Sequence, residues 1–272
     1  MIKLIAIDMD GTLLSSDRTI SQKNKSVIAK ALTLPEVSIV LCTGRPATGI
    51  LPYLEELQLT DKDEYVISQN GAYIFQSKTK QVLAEKVLDT TKLSEIVELA
   101  QKHHIGLMGV GEAACYSIAM VPTDMMVLEA RIVDAPLIEL SLEEALQTKF
   151  HKLLFIETPE TLDAFEQILP QTWRENFYIV RSQGNLLEMM NQGINKAEAL
   201  KELGDYLSIP LSSMMAIGDG MNDIEMIKEV GYGVAMENAV PALKAIAQAQ
   251  TSSNDNDGVA NAIVDWLQLE KE

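Results

Sequence analysis

The chain is poor in the residues that usually announce disulfides, metal clusters or nucleic-acid surfaces: two cysteines, three histidines and 22 Lys and Arg among 272 residues. Cys42 lies inside an apolar run and Cys115 in a distant segment, so both read as buried free thiols, which excludes a disulfide framework. His103, His104 and His151 lack the spacing of a metal cluster. With 39 Asp and Glu the net charge is -17, which excludes a broad surface for nucleic acid or anionic membrane, because both need clustered basic residues. A small anionic ligand is compatible with this balance where the site itself is locally positive. No apolar run reaches the ~18 residues of a membrane helix, and Met1 leads straight into a strand-like run without a basic leader. The expectation is a cytoplasmic protein with no membrane or nucleic-acid partner; nothing in the sequence decides between monomer and homodimer.

What is present is a set of short apolar runs ending in polar turns: Leu4 to Ile7 before Asp8, Val37 to Cys42 before Thr43, Tyr65 to Ile67 before Ser68, and Met214 to Ile217 before Gly218. Helical stretches between near-continuous apolar runs predict an α/β fold, a parallel sheet covered on both faces. Such sheets hold their ligands at the carboxyl ends of the strands, where every one of these polar turns falls. A helix is predicted over 21–32 with Ser21 as its cap, and another from Pro46, broken near Leu51 by Pro52. Asn195 to Leu207 and Val259 to Leu267 complete the helices of this part.

From about Ala84 to Gln192 the pattern changes. Leu93 to His103 is helical by its spacing, and Ile105 to Val110 with Ala113 to Ile118 predicts a hairpin. His151 to Ile156 reads as a strand, Thr161 to Leu169 as a helix, and Phe177 to Arg181 with Leu186 to Met190 as a second hairpin. The methionines at 120, 125, 126, 189 and 190 read as adaptable packing. The expected organisation is a discontinuous core domain, 1–83 and 193–272, interrupted by an α+β lid over 84–192.

Two acidic loops carry the chemistry: Asp8-Met9-Asp10-Gly11-Thr12, and about two hundred residues later Gly218-Asp219-Gly220-Met221-Asn222-Asp223. One acidic pair after a strand is commonly a helix cap or a solvated turn; two at sheet ends, with basic and hydroxyl residues between them, point to a magnesium and phosphoryl site. A carboxylate can attack phosphorus, and Asp8 is the candidate nucleophile. Asp10, two residues on, is the candidate to protonate the departing alkoxide and deprotonate the attacking water. Anions brought together require a hard cation with oxygen ligands, for which Mg2+ is suited. Asp8 and Asp219 are its expected side-chain ligands, with the main-chain carbonyl of Asp10. Asp223 is either a further ligand, directly or through water, or an anchor behind the ligands.

The transferred phosphoryl group needs donors set around it in advance. Thr43 offers a hydroxyl, Lys196 a point charge, Asn222 an amide, and Arg45 a fork for phosphate or leaving group. Taken alone, Thr43 is a helix cap, Arg45 a surface ion-pair residue and Lys196 a solvated helix residue; their shared place at sheet ends makes them a site. Asn70-Gly71 is above all a turn signal, at a strand end that also suits a substrate-proximal role.

With these residues assembled, the chain resembles the haloacid dehalogenase superfamily of phosphohydrolases, specifically the Cof-type hydrolases with a C2B cap. Asp8 to Thr12 looks like the first motif, Thr43-Gly44-Arg45 the second, Lys196 the third and Gly218 to Asp223 the fourth, in the family's order, over essentially the whole chain. The resemblance implies a Rossmann-like core with an α+β cap that closes over the site, Mg2+ dependence, and hydrolysis of phosphate monoesters of sugars or similar small metabolites. A phosphomutase of the same superfamily and a non-catalytic protein that binds phosphorylated metabolites are the alternatives. Intact Asp8, Asp10, Lys196 and Asp219 argue against the latter, since a retired site has no reason to keep mutually repelling charges.

Overall fold

The structure, a computed structural model, describes residues 1–269. It divides into two compact units, one formed by 1–44, 52–84 and the chain from 195 onward, the other by 45–51 and 85–194. Residues 45–51, which the sequence reading assigns to the first unit, group with the second. No described helix is long and apolar enough to cross a membrane.

The chain opens with β1 (Leu4–Ile7), α1 (Gln22–Ala31), β2 (Ser38–Cys42), α2 (Leu51–Glu56), β3 (Tyr65–Ser68), β4 (Tyr73–Gln76) and β5 (Val82–Glu85). Then come α3 (Leu93–Lys102), β6 (Gly106–Val110), β7 (Cys115–Ile118), α4 (Asp124–Ile132), β8 (Leu137–Leu140), α5 (Leu142–Gln147) and β9 (Lys152–Ile156). These are followed by α6 (Pro159–Ile168), α7 (Gln171–Asn176), β10 (Phe177–Gln183) and β11 (Leu186–Asn191). The last stretch holds α8 (Lys196–Leu207), β12 (Met214–Gly218), α9 (Ile224–Glu229), β13 (Tyr232–Ala235), α10 (Pro241–Lys244), β14 (Ala249–Gln250) and α11 (Gly258–Leu267).

In the first unit the sheet order is β14-β13-β12-β1-β2-β3-β4-β5. All pairs from β14 to β3 are parallel, and β1 is central and fully buried along its length. Ile7 stands level with Ile217 on one side and Leu41 on the other, so the loops after β1, β12 and β2 leave the sheet together. The chain leaves β1 toward β2 in one direction and reaches β12 in the other, a topological switch point.

The expected parallel sheet is present from β14 to β3, and toward the other edge β4 runs antiparallel to β3. The Asn70-Gly71 signal is the reason: Gln69 and Asn70 adopt left-handed φ values of 52° and 54° and Gly71 a φ of 102°, which turns the chain back on itself. The helix expected from Pro46 is also different. A single 3-10 turn, Ala47–Gly49, precedes α2, and Pro52 sits in the first turn of that helix, where its missing N–H is not needed. Ser21 caps α1 as expected, accepting from the Asn24 N–H at 3.0 Å. The Asn24 side chain in turn accepts the Ala260 N–H at 2.9 Å, which fixes α1 on α11 inside the core.

The second unit carries a six-stranded sheet of order β10-β11-β9-β6-β7-β8, antiparallel except for the β7–β8 pair. Both expected hairpins, β6–β7 and β10–β11, are present. Successive residues of β9 face opposite sides. Leu153 and Phe155 join Phe150, Phe165, Trp173 and the apolar face of α3, while Leu154 and Ile156 join Met108, Met126 and Ala130 of the α4 side. Glu188 pairs with Leu154 across the ladder and accepts from Lys152 at 2.7 Å, a buried ion pair inside this sheet unit. Helices α4, α5 and α7 escape the sequence reading because they are short. Their starts are written in polar caps, such as Thr123 and the Ser141–Glu144 capping box, more than in long apolar periodicity.

Glu64, just ahead of β3, completes the lower part of the β2 ladder: its carboxylate accepts the Ile39 N–H at 2.9 Å. Burial pushes its pKa up to about 7, against the pull of that N–H and of Lys62. An acid whose folded pKa is raised contributes stability that is complete below its unfolded value of 4.5 and lost as pH rises through about 7. Relative to Glu64→Gln, wild-type unfolding free energy is therefore expected to decline between pH 5 and pH 8. Denaturant titrations of both proteins across that range check this, and parallel pH curves would refute it.

Candidate active site

Strand register brings the two acidic loops into contact. The Asp8 N–H donates to Ile217 O at 3.0 Å, continuing the β1–β12 ladder by one step, so the first acidic residue leaves the sheet beside Gly218 and Asp219. Asp8, Asp219 and Asp223 each offer a carboxylate oxygen within 4.8 Å of one another.

A single buried cation lies among them. Lys196, fully buried, donates to Asp8 Oδ1 at 2.5 Å and to Asp223 Oδ1 at 2.6 Å. It is the first residue of α8, where Asn195 caps the helix by accepting the Glu198 N–H at 2.9 Å. The Asn195 carbonyl lies against Gly71, where a Cβ would come within 2.4 Å of that oxygen. The glycine of the β3–β4 turn thus admits the start of α8, and with it the lysine.

Asp223 uses both oxygens. While Oδ1 receives Lys196, Oδ2 accepts the N–H groups of Asp219 at 3.0 Å and Gly220 at 2.9 Å. This shapes the loop that presents Asp219, and Gly218 makes room for it, since a Cβ there would lie 2.6 Å from Asp223 Cγ. The Asp219 carboxylate accepts the Thr12 hydroxyl at 2.8 Å, a bond between residues 207 positions apart. Gly11, at φ 81°, leaves space for that carboxylate, 2.5 Å from where its Cβ would be.

The charges are unbalanced. Three carboxylates against one ammonium leave a formal excess of two negative charges in a buried space. Burial raises the Asp8 pKa well above the carboxylate range, Asp223 and Asp219 adding to the rise and Lys196 opposing it. Asp219 is pushed up to about 7, first by burial and then by Asp223, with a further push from Asp10. Burial pulls the Lys196 pKa down, but Asp223 and Asp8 more than reverse it, so the lysine keeps its proton. Oxygen donors with an excess of two charges suit one hard divalent cation.

Thr43 is buried at the end of β2, its N–H donating to Ile67 O and its carbonyl accepting the Asn70 N–H, both at 2.9 Å. Asn70 Oδ1 accepts from Asn222 Nδ2 at 3.0 Å, so the turn after β3 and the second acidic loop share a side-chain bond. Gly44 lies beside the Asn70 amide, 3.2 Å from where its Cβ would be. Asp10 is half-buried and forms a bridge with Leu14, its side chain outside the three-carboxylate group. Arg45 is buried in the second unit, its Nη1 donating to Gly49 O at 3.5 Å. Cys42, fully buried at the end of β2, has its thiol pKa pushed far up by burial, with Lys196 opposing the rise and Asp223 and Asp8 adding to it.

Two residues with defined contacts here received no role from sequence. Thr12 stands in the first acidic segment, but its partner is set by the register of β1 on β12. Asn238 donates to Gly11 O at 2.7 Å from a loop with no motif of its own.

The family model described as haloacid dehalogenase-like hydrolase matches residues 5–263. A Streptococcus pyogenes serotype M6 protein with a provisional phosphatase name is 34% identical over 266 residues, 98% of each chain. The Bacillus subtilis 5-amino-6-(5-phospho-D-ribitylamino)uracil phosphatase YcsE is 32% identical over 267 residues, 98% of this chain and 96% of its own. The crystal structure of a haloacid dehalogenase-like hydrolase from Bacteroides thetaiotaomicron matches with a TM-score of 0.86 at 30% identity, covering 98% of this chain and 100% of that one. Sheet order, paired acidic loops and full-length similarity agree, and the chain belongs to the haloacid dehalogenase-like hydrolase family.

Proposed function

We propose that this chain is a Mg2+-dependent phosphatase that hydrolyses small phosphate monoesters through an aspartyl-phosphate on Asp8. The observation that carries the reading is the gathering of Asp8, Asp219 and Asp223 around Lys196 with two negative charges in excess.

Asp8, held through Oδ1 by Lys196, attacks phosphorus, and the bond from phosphorus to the leaving oxygen breaks. Asp10 gives that oxygen a proton, then takes one from the water that attacks the aspartyl-phosphate, releasing inorganic phosphate and restoring Asp8. Thr43 and Lys196 supply donors to the phosphoryl oxygens, and Asn222 and Asn70, already bonded to each other, orient the group from the side of the β3–β4 turn. Gly44 keeps that approach open. Asp8 and Asp219, with the Asp10 carbonyl, are the residues that would hold Mg2+, which when bound neutralises charge on carboxylates and phosphoryl oxygens. Asp223, with both oxygens engaged, anchors Lys196 and the Asp219 loop.

The proposed substrates are phosphorylated sugars or related polyols. The printed names of two Bacillus subtilis relatives, YcsE and YitU, specify a phosphate carried on a ribityl chain. The fold alone is shared with a sugar phosphatase of known structure at 24% identity.

Asp8→Asn is expected to lower kcat by about 10⁴-fold or more while the protein still melts cooperatively; wild-type turnover by this variant would remove Asp8 from the chemistry. Chelation should abolish phosphate release and Mg2+ restore it, so activity that survives exhaustive chelation would exclude the cation. Because Asp219 must ionise to bind metal and burial pushes its pKa up to about 7, with Asp8 raised as well, Mg2+ affinity is expected to fall at least about tenfold per pH unit below that value. Calorimetric titrations at pH 6 and pH 8 measure the difference, and equal affinities would contradict it.

A further inference from the structure

The loop that bears Asp10 is gripped from outside the acidic motifs, by side chains contributed from two loops near the chain's end. Gly11 O accepts from Asn238 Nδ2 at 2.7 Å, and Leu14 O accepts from Asn254 Nδ2 at 3.0 Å. The two asparagines are themselves joined, since Asn238 Oδ1 accepts the Asn254 N–H at 3.0 Å. Asp255 then takes the N–H and the hydroxyl of Ser16, each at 2.7 Å. Three successive parts of the 11–16 segment are thereby tied to one scaffold.

That scaffold is in turn fastened to the second acidic loop. The Met236 N–H donates to Gly218 O at 3.0 Å and the Val240 N–H to Asp219 O at 2.9 Å, one anchor on each side of Asn238. Asn238 therefore spans the gap between the backbone that carries Asp219 and the backbone that follows Asp10. The point it holds is the peptide after Gly11, whose φ of 81° is open to glycine and costly for other residues. Asp10 bridges to Leu14 across this same turn, so its placement depends on the turn being held.

We infer that Asn238, supported by Asn254, is a positioning residue for Asp10: it fixes the Gly11 turn so that the Asp10 carboxyl meets the leaving oxygen at the moment the phosphorus–oxygen bond breaks. The inference rests on the phosphatase reading above. It has a signature that general loss of structure lacks. A polyol alkoxide departs only with a proton, whereas 4-nitrophenolate departs without one, so a misplaced proton donor penalises the first ester and spares the second.

Asn238→Asp keeps the acceptor for the Asn254 N–H and removes the donor to Gly11 O. Asn238 is at the surface, where the change is compatible with folding. For this variant kcat/KM on a polyol phosphate is expected to fall about 10²-fold, the scale on which small misplacements act, and on 4-nitrophenyl phosphate by less than about threefold. Equal losses on both esters, or none on either, would overturn the inference. Wild-type turnover of the two esters tests the phosphatase reading separately. Hydrogen exchange tests the grip without turnover: amides of residues 11–16 should exchange faster in Asn238→Asp, and unchanged rates would overturn it. If this variant fails to fold, Asn254→Asp, which removes only the donor to Leu14 O, is expected to show the same selectivity between esters, and its absence would count equally against the assignment.

Discussion

One buried ammonium group organises the first unit. Lys196 sits between Asp8 and Asp223, and without it three carboxylates would share a water-poor space with no counter-charge. Removing one partner from a buried ionic arrangement is costly because the others are left uncompensated, about 3–5 kcal/mol in typical cases. The lysine's place depends on the Asn195 cap and on the close approach allowed at Gly71, so a turn residue far along the chain helps to determine where charge resides.

The rest of the arrangement divides between register and loops. Parallel pairing of β1 with β12 and β2 sets the level at which Asp8, Gly218 and Cys42 leave the sheet. Fine placement then falls to residues just beyond the strands. Asp223 folds its loop back through two N–H groups, Thr12 reaches across to Asp219, and Gly11 and Gly218 leave the space in which carboxylates lie. These loops hold their shape through hydrogen bonds together with buried apolar anchors, Met9, Leu13 and Leu14 in the first of them.

Much of this was legible in sequence. The apolar runs ending in Asp8, Thr43 and Gly218 predicted the strands and the end of the sheet where polar residues collect. The change of pattern near Ala84 marked the α+β insert, although 45–51 prove to group with it. The Asn70-Gly71 dipeptide read as a turn, and it is one; its bond to Asn222 depends on a contact 152 residues away that no local signal encodes. Asn238 and Asn254 were illegible for the same reason. A surface asparagine in a loop has ordinary composition, and only tertiary placement shows which carbonyl it meets. The edge strands β5 and β14 were missed because they are largely exposed and carry no buried apolar run.

Cys42 draws a last consequence from this electrostatic setting. Its sulfur lies at the end of a strand whose neighbour carries Asp8, yet burial and nearby negative charge keep the thiol protonated. Oxidants and alkylating reagents act on the thiolate. Buried and protonated beside the strand that leads to Asp8, Cys42 therefore presents no reactive thiolate next to the acidic loops.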